Sequence, residues 1–356
     1  MSLSDLKVGL TFNDVILVPQ YSEIKSRKDP KINTKVGSLE LNIPIISSPM
    51  NTVTEFQMMS AMTSLGGSSV LHRYLTINEQ LAQIANAKLT QATNYFVAVG
   101  ATGDFLERAK TIHDILGIKN FCVDIANGHS KFCLEAVESL VKENFVVMAG
   151  NVCTYVGAKM LADFGADSIR VGIGNGSMCI TREVTGHGVP QLTALEECYR
   201  IKKEFPNVGI IADGGMKTSG DGLKALAAGA DALMFGGLLA GTSETPGKFI
   251  EGGRQESGEI WPHGRYKVYA GMASEVGREL GGWFDRTKTA YVPEGESVIL
   301  PHKGSVVDVI ERFVGGLKVG LSYSGAENLS ELREGAQWLR VTSAGYHEGT
   351  AHGGKK

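Results

Sequence analysis

The stretch 208–237, VGIIADGGMKTSGDGLKALAAGADALMFGG, decides the fold. It opens on a nearly unbroken apolar run, 208–213, that ends in an acid followed by two glycines. Residues 219–229, SGDGLKALAAG, then carry leucine and alanine at helical spacing and stop at Gly229. Glycine suits that stop because it adopts the left-handed C-cap conformation without a Cβ clash. A second apolar run, 232–237, again ends in paired glycines. Strand, covering helix and strand in this order form a βαβ unit, and strands apolar throughout belong to a parallel sheet buried on both faces.

The same rhythm extends upstream. Short β-rich runs lie at 44–49, 68–73, 95–100, 121–126, 145–150 and 168–173, which with 208–213 and 232–237 makes eight strands. Helical patterns separate them, among them 54–66, 104–117 and 155–165, each closing on a glycine. The repeat of about 25 residues is the length of one strand, one helix and two short loops. Eight such units predict a single (β/α)8 TIM barrel, since a doubly wound open sheet needs fewer strands. Residues 1–43 read as an N-terminal arm without a barrel strand, and 340–356 as a C-terminal tail. Two intervals break the rhythm: the loop after Gly174, and residues 240–304, rich in Gly, Pro and charge, before a closing helix at 306–319. The second is read as a flap and active-site insertion. Barrel enzymes carry their chemistry in loops at the C-terminal ends of the strands, where both insertions fall.

Composition excludes several classes of function. The chain of 356 residues is 43% hydrophobic and 21% charged with a net charge of −3, a balance that suggests neither a nucleic-acid nor a membrane-surface partner. No apolar stretch approaches the roughly 20 residues that span a bilayer. The N-terminus has no basic segment followed by an apolar run, so no secretory signal is predicted. Cys122, Cys133, Cys153, Cys179 and Cys198 are odd in number and lack CxxC spacing, which argues against zinc and a disulfide framework. A reducing cytoplasmic setting is expected.

Chemistry concentrates in 171–183, VGIGNGSMCITRE. Alternating glycines let backbone groups turn toward an anion or a cation that side chains would block. Cys179 follows the last glycine, where converging N–H groups favour a thiolate, and is the candidate nucleophile. Thr181 and Arg182 add a hydroxyl and a cation nearby. Asp213-Gly214-Gly215 and Gly236-Gly237 end the last two strands, where barrels commonly bind phosphate on backbone N–H groups, and Asp213 can accept from ribose hydroxyls. Asp124 ends strand four at the same mouth, with Ser130 as a helix N-cap. His129 and His187 are given no role. Glu294, in the late insertion, is a possible acid/base partner. The residues alone lead to a phosphate-bearing ligand, a cysteine nucleophile and a proton donor.

Four segments carry a resemblance: GIGNGSMCITRE, IADGGMKTSGDGLKALAAGADALMFGGLLAG, YAGMASE and FNDVILVPQYSEIKSRKD. Together, over about residues 10–345, the chain resembles the inosine monophosphate dehydrogenase and guanosine monophosphate reductase family. The resemblance implies a homotetrameric barrel, covalent catalysis by Cys179 on C2 of a purine, a nicotinamide cofactor and a monovalent cation, K+. It implies Thr181 and Glu294 as the proton relay. Ser177, Asp213, Gly214, Gly215, Gly236, Gly237, Gly271, Met272, Ala273 and Gly295 would hold the nucleotide. Ser26, Arg27, Arg73, Asp124, Ile125, Ala126, Ile173 and Gly174 would hold the cofactor, with Ser26 and Arg27 reaching a neighbouring subunit and Arg27 selecting a 2′-phosphate. Gly174, Gly176, Cys179 and Arg182 would bind the cation.

The reductase branch looks closer. No regulatory domain interrupts the chain after strand two, where the dehydrogenases usually carry one. No Arg-Tyr pair lies between Met272 and Glu294; Arg286 is followed by Thr287. DFLERAKTIHDILGIKNFCVDIANGHS and TGHGVPQL look like reductase versions, whereas ISSPMNTVTE, the VPEG around Glu294 and RVTSAGYHEGTAH look like the dehydrogenases. Asn51 replaces the usual Asp of both branches. The implied reaction is NADPH-dependent reductive deamination of GMP to IMP and ammonia through a cysteine thioimidate. The alternatives are an IMP dehydrogenase without the regulatory domain and, further off, a non-catalytic purine nucleotide binder.

Overall fold

The computed structural model describes residues 6–255, 259–282, 292–349 and 351. Eight parallel strands close into a barrel: Ile45–Ser47, Ser68–Leu71, Tyr95–Val99, Asn120–Asp124, Val146–Val152, Ser168–Val171, Gly209–Asp213 and Ala232–Phe235. They pair in chain order, and the eighth returns to the first with Leu233 opposite Ile45. Helices Phe56–Ser64, Ile77–Leu89, Phe105–Leu116, Lys131–Lys142, Tyr155–Asp163, Gln191–Tyr199, Ser219–Ala227 and Val306–Tyr323 cover the outside. The fold is the (β/α)8 barrel that the rhythm of the sequence predicts.

The strands are apolar on both faces because both are buried. Ile46, Val70, Phe96, Met148, Ile211 and Met234 fill the interior, while Ile45, Leu71, Phe121, Ile169 and Leu233 pack outward under the helices. Each such side chain stabilises the fold by roughly 1.5–3 kcal/mol. The arm does more than enter. Its hairpin, Thr34–Val36 with Leu39–Leu41, sends Val36 and Leu41 into the interior cluster and so closes the barrel's N-terminal end. The earlier strand Val15–Leu17 pairs antiparallel with Trp338–Arg340, tying the arm to the start of the tail.

Three expectations change in detail. The closing helix runs to Tyr323, past the expected end at Val319, because Gly320 is a packing position and no stop: a Cβ there would lie 2.4 Å from Leu223 Cδ2. Strand five runs on to Val152 through a register shift between Gly150 and Val152. Ser130 does occupy the N-cap of Lys131–Lys142, but its hydroxyl makes no capping bond. Thr218 and Thr76 show what a working cap looks like, each accepting from the third helical residue while Asp221 or Glu79 reaches back.

The mouth is built from the strand ends. Ser48, Arg73, Asp124, Asn151, Gly172, Asp213 and Gly236 open onto one cavity. The flap adds a three-stranded antiparallel sheet, Ile250–Arg254, Ile260–Ala270 and Ser297–Pro301, whose inner end delivers Tyr269 to the same cavity. Helix Ser219–Ala227 sets the seventh and eighth loops through Gly222, where a Cβ would lie 2.7 Å from Phe313 Cζ and 2.9 Å from Leu233 Cδ1. Gly222→Val overfills this contact and is expected to destabilise the protein by about 1–3 kcal/mol, seen as a lower urea midpoint.

Candidate active site

The cavity at the mouth has a volume of about 430 Å³. Cys179, Thr181, Glu294, Ser177, Asp213, Gly214, Gly215, Gly236, Gly237, Gly271, Met272, Ala273 and Gly295 all line it. So do Arg73, Asp124, Ile125, Ala126, Ile173, Gly174 and Gly176. Ser26, Arg27 and Arg182 do not. Ser26 closes a turn with Asp29, and the Arg27 guanidinium lies over the Tyr323 ring at 5.8 Å.

The glycine loop after strand six is shaped by close approach. Gly172 (φ 144°) has the Asp213 carbonyl 2.3 Å from where a Cβ would sit, and Asn175 Nδ2 donates to that carbonyl at 3.0 Å. Beyond it, Met178–Ile180 meets the segment 294–296. Ile180 N–H donates to the Glu294 carbonyl at 3.0 Å and Glu296 N–H to the Met178 carbonyl at 2.9 Å. On its other edge Glu294 N–H donates to Ala273 at 3.1 Å and Gly271 N–H to Glu296 at 2.9 Å. The loop glutamate is therefore the centre of a small ladder. That ladder aims its carboxylate: Thr181 Oγ1 donates to Glu294 Oε2 at 2.9 Å and accepts from Cys179 Sγ at 3.1 Å. A thiol, a hydroxyl and a carboxylate stand in one line, suited to passing a proton.

Cys179 differs from the other cysteines in its surroundings. Burial pushes the Cys122 and Cys133 thiols up to about 12 and raises Cys153 and Cys198 as well. Cys179 is half-exposed at the cavity wall. Reactivity follows thiolate character and access, so the buried Cys122, Cys133 and Cys198 and the half-buried Cys153, whose thiol is raised, are inert by comparison.

Arg170 escaped the sequence reading. It lies in the apolar run of strand six and is buried between Asp124 and Asp213. Burial works against its charge, but the Asp213 and Asp124 carboxylates outweigh it and hold the guanidinium well above its ordinary range. A lone arginine inside an apolar strand was the available signal, since a buried charge requires a partner. Asp213 is consequently less free than expected. Its Oδ2 accepts from Arg170 Nη2 at 2.8 Å and Asn151 Nδ2 at 2.9 Å, which leaves Oδ1 as the oxygen open to a ligand.

The far end of the cavity is rich in unused donors. Among the described residues the N–H groups of Gly215, Met216, Gly237 and Leu238 have no partner. The Ser177 and Tyr269 hydroxyls stand 3.1 Å apart, and the buried Ser48 hydroxyl has no partner. Burial raises the Tyr269 phenol, opposed by its bond to Ser177. Gly236 is demanded by space, since a Cβ would lie 2.6 Å from Met50 Sδ. Ser48 and Met50 lie in ISSPMNTVTE and Tyr269 opens YAGMASE, segments read for the resemblance, but none of the three was assigned to the site.

A second cavity, about 310 Å³, adjoins the first by sharing Arg73 and Ile125, and continues past Thr102, Arg108 and Phe132. For a cation, the Gly174 and Cys179 carbonyls have no partner among the described residues, whereas Gly176 already accepts from Cys179 N–H and Arg182 from Gly186 N–H. The Arg182 side chain offers no lone pair; its guanidinium donates to the Val189 carbonyl, so Arg182 could contribute only through its own carbonyl. No cluster of three or more His, Cys, Asp or Glu side chains able to hold a metal exists among the described residues.

The model of the IMP dehydrogenase / GMP reductase domain matches residues 9–352. The chain belongs to this family. Among curated relatives, inosine-5′-monophosphate dehydrogenase of Nitrosopumilus maritimus is 31% identical, covering 98% of this chain and 99% of its own. The dehydrogenase of Cryptosporidium parvum is 34% identical, covering 99% and 97%. The first alignment spans 481 residues and the second 400, both longer than this chain. Among solved structures, a cysteine-to-alanine variant of GMP reductase from Trypanosoma brucei, in complex with guanosine 5′-monophosphate, superposes with a TM-score of 0.87. It is 27% identical and covers 98% of this chain and 99% of that one. The family consists of oxidoreductases that act on purine nucleotides with a nicotinamide cofactor. At neutral pH, iodoacetamide is expected to label Cys179 at least about tenfold faster than Cys122, Cys133, Cys153 or Cys198. Peptide mass mapping checks this, and equal labelling of Cys122 would contradict it.

Proposed function

We propose that this member of the family is a GMP reductase, converting GMP to IMP and ammonia with NADPH. The observation that carries the reading is the line from Cys179 through Thr181 to Glu294. Ammonia leaves a purine only if it departs protonated, and this line brings a carboxyl proton to the cysteine that holds the ring. The Cys179 thiolate adds to C2 of GMP, and Glu294, acting through Thr181, protonates the 2-amino group as the C–N bond breaks. The thioimidate remains attached to Cys179. Bound NADPH supplies the hydride that replaces the amino group at C2. Expulsion of the Cys179 thiolate then frees IMP. Covalent attachment divides one hard displacement into easier steps.

The unpartnered amides of Gly215, Met216, Gly237 and Leu238, with the Ser177 and Tyr269 hydroxyls, would hold the 5′-phosphate, and Asp213 the ribose. Arg73, Asp124, Ile125, Ala126, Ile173 and Gly174 would hold the nicotinamide side of the cofactor, whose remainder extends toward Phe132. Ser26 and Arg27 lie away from this chain's cavity, so they would serve the cofactor of a neighbouring subunit in a homotetramer, with Arg27 on the 2′-phosphate. K+ would sit on the carbonyls of Gly174, Gly176, Cys179 and Arg182. The protein would work in the cytoplasm as a single barrel domain without an inserted regulatory domain. The flap residues Arg286 and Thr287, which bear on the missing Arg-Tyr pair, lie outside the described residues.

The dehydrogenase reading keeps its place because the curated relatives named above are dehydrogenases. Absorbance at 340 nm separates the two. GMP with NADPH is expected to lose absorbance, and IMP with NAD to gain none; the opposite result makes the protein an IMP dehydrogenase. Glu294→Gln is expected to slow deamination by about 100-fold or more, the range of a lost general acid. Single-turnover kinetics started from IMP and NADP should change far less, because that half-reaction moves no amino group; equal losses would remove Glu294 from the relay.

A further inference from the structure

Gly237 and Leu238, in the loop that follows strand eight, line the cavity, and their N–H groups have no partner among the described residues. The carbonyls of the same two residues are occupied. Lys303 Nζ donates to the Gly237 carbonyl at 3.0 Å and to the Leu238 carbonyl at 3.3 Å. In a trans peptide the C=O and N–H bonds point opposite ways. An ammonium that holds the Gly237 carbonyl from behind thereby holds the Leu238 N–H facing forward. It also polarises that peptide, which strengthens the N–H as a donor.

Lys303 is fastened to this task by its own backbone. Its N–H donates to the Gly241 carbonyl at 2.9 Å, and the next residue, Gly304, accepts from Ser243 N–H at 2.9 Å. Among the described residues no carboxylate pairs with Lys303, and it does not line the cavity. A positive charge with no carboxylate partner among the described residues thus stands behind the Leu238 donor, an arrangement that favours an anion on the other side. Lys303 also closes the stretch that starts with Glu294 and passes through strand Ser297–Pro301. One segment supports both the proton relay and the opposite end of the cavity.

We propose that Lys303 is a positioning residue that sets the Gly237–Leu238 peptide, and with it the Leu238 N–H, for the 5′-phosphate and makes the enzyme prefer nucleoside monophosphates to nucleosides. This rests on the nucleotide reading of the site given above. The test is to titrate GMP and guanosine separately against the full-length protein, Lys303→Met and Lys303→Arg, by calorimetry. Lys303→Met is expected to weaken GMP about tenfold, as loss of charge-assisted hydrogen bonds does, while guanosine affinity stays within about twofold. Lys303→Arg is expected to recover most of the GMP affinity. Unchanged GMP binding by Lys303→Met, or equal weakening of GMP and guanosine, overturns the proposal. Should Lys303→Met fail to fold, Lys303→Gln, one atom shorter and uncharged but with one donor group, decides by the same ratio. If the unaltered protein does not prefer GMP to guanosine, the phosphate reading of the loop itself falls, and this is seen before any variant is made.

Discussion

A buried guanidinium sets the terms for the mouth of this barrel. Arg170 has almost no contact with water, so its charge is tolerable only between two carboxylates, and Asp124 and Asp213 provide them from strands four and seven. Arg170 must reach Asp124 across the whole of strand five. The register allows it, because Asp124, Gly150 and Arg170 are successive partners across strands four, five and six. Gly150 leaves the way open; a Cβ there would stand 2.7 Å from Arg170 Cβ. Removing one carboxylate would leave a buried charge unpaired, which typically costs about 3–5 kcal/mol. The triad also ties together the two acids assigned to opposite ligands, one on the cofactor side and one on the ribose side.

Above this floor the candidate site is assembled by loops. The cysteine loop, the segment 271–273 and the segment 294–296 come from three distant parts of the chain and order one another by main-chain hydrogen bonds. The Thr181–Glu294 hydrogen bond is a product of that ladder, since a glutamate on an isolated loop has no reason to meet Thr181. Two lysines anchor the outer side of the neighbouring loop. Lys267 donates to the Ser243 carbonyl and Lys303 to those of Gly237 and Leu238.

Much of this was legible in the residues. The eight strands were visible because a strand buried on both faces is apolar without interruption, and the helices because their glycine stops are positions where the backbone needs no Cβ. Cys179 and the glycine pairs were visible because close backbone approach admits little else. The hairpin at 34–41 was not seen as a plug: its strands are three residues long and carry Lys35 and Glu40, too short for a period to register. Ser48, Met50, Asn151 and Tyr269 acquire their significance only from neighbours dozens or hundreds of residues away.

The sequence by itself determined the barrel and singled out Cys179 and the glycine pairs as the residues proposed for the site, since each depends on local backbone and burial preferences. Only the tertiary structure decided that Glu294 faces Thr181, that Arg170 occupies one oxygen of Asp213, and that Lys303 holds the Gly237 and Leu238 carbonyls. Those are relations between charges and hydrogen-bonding groups far apart in the chain. Their energies depend on distance and burial, and neither exists until the strands have closed.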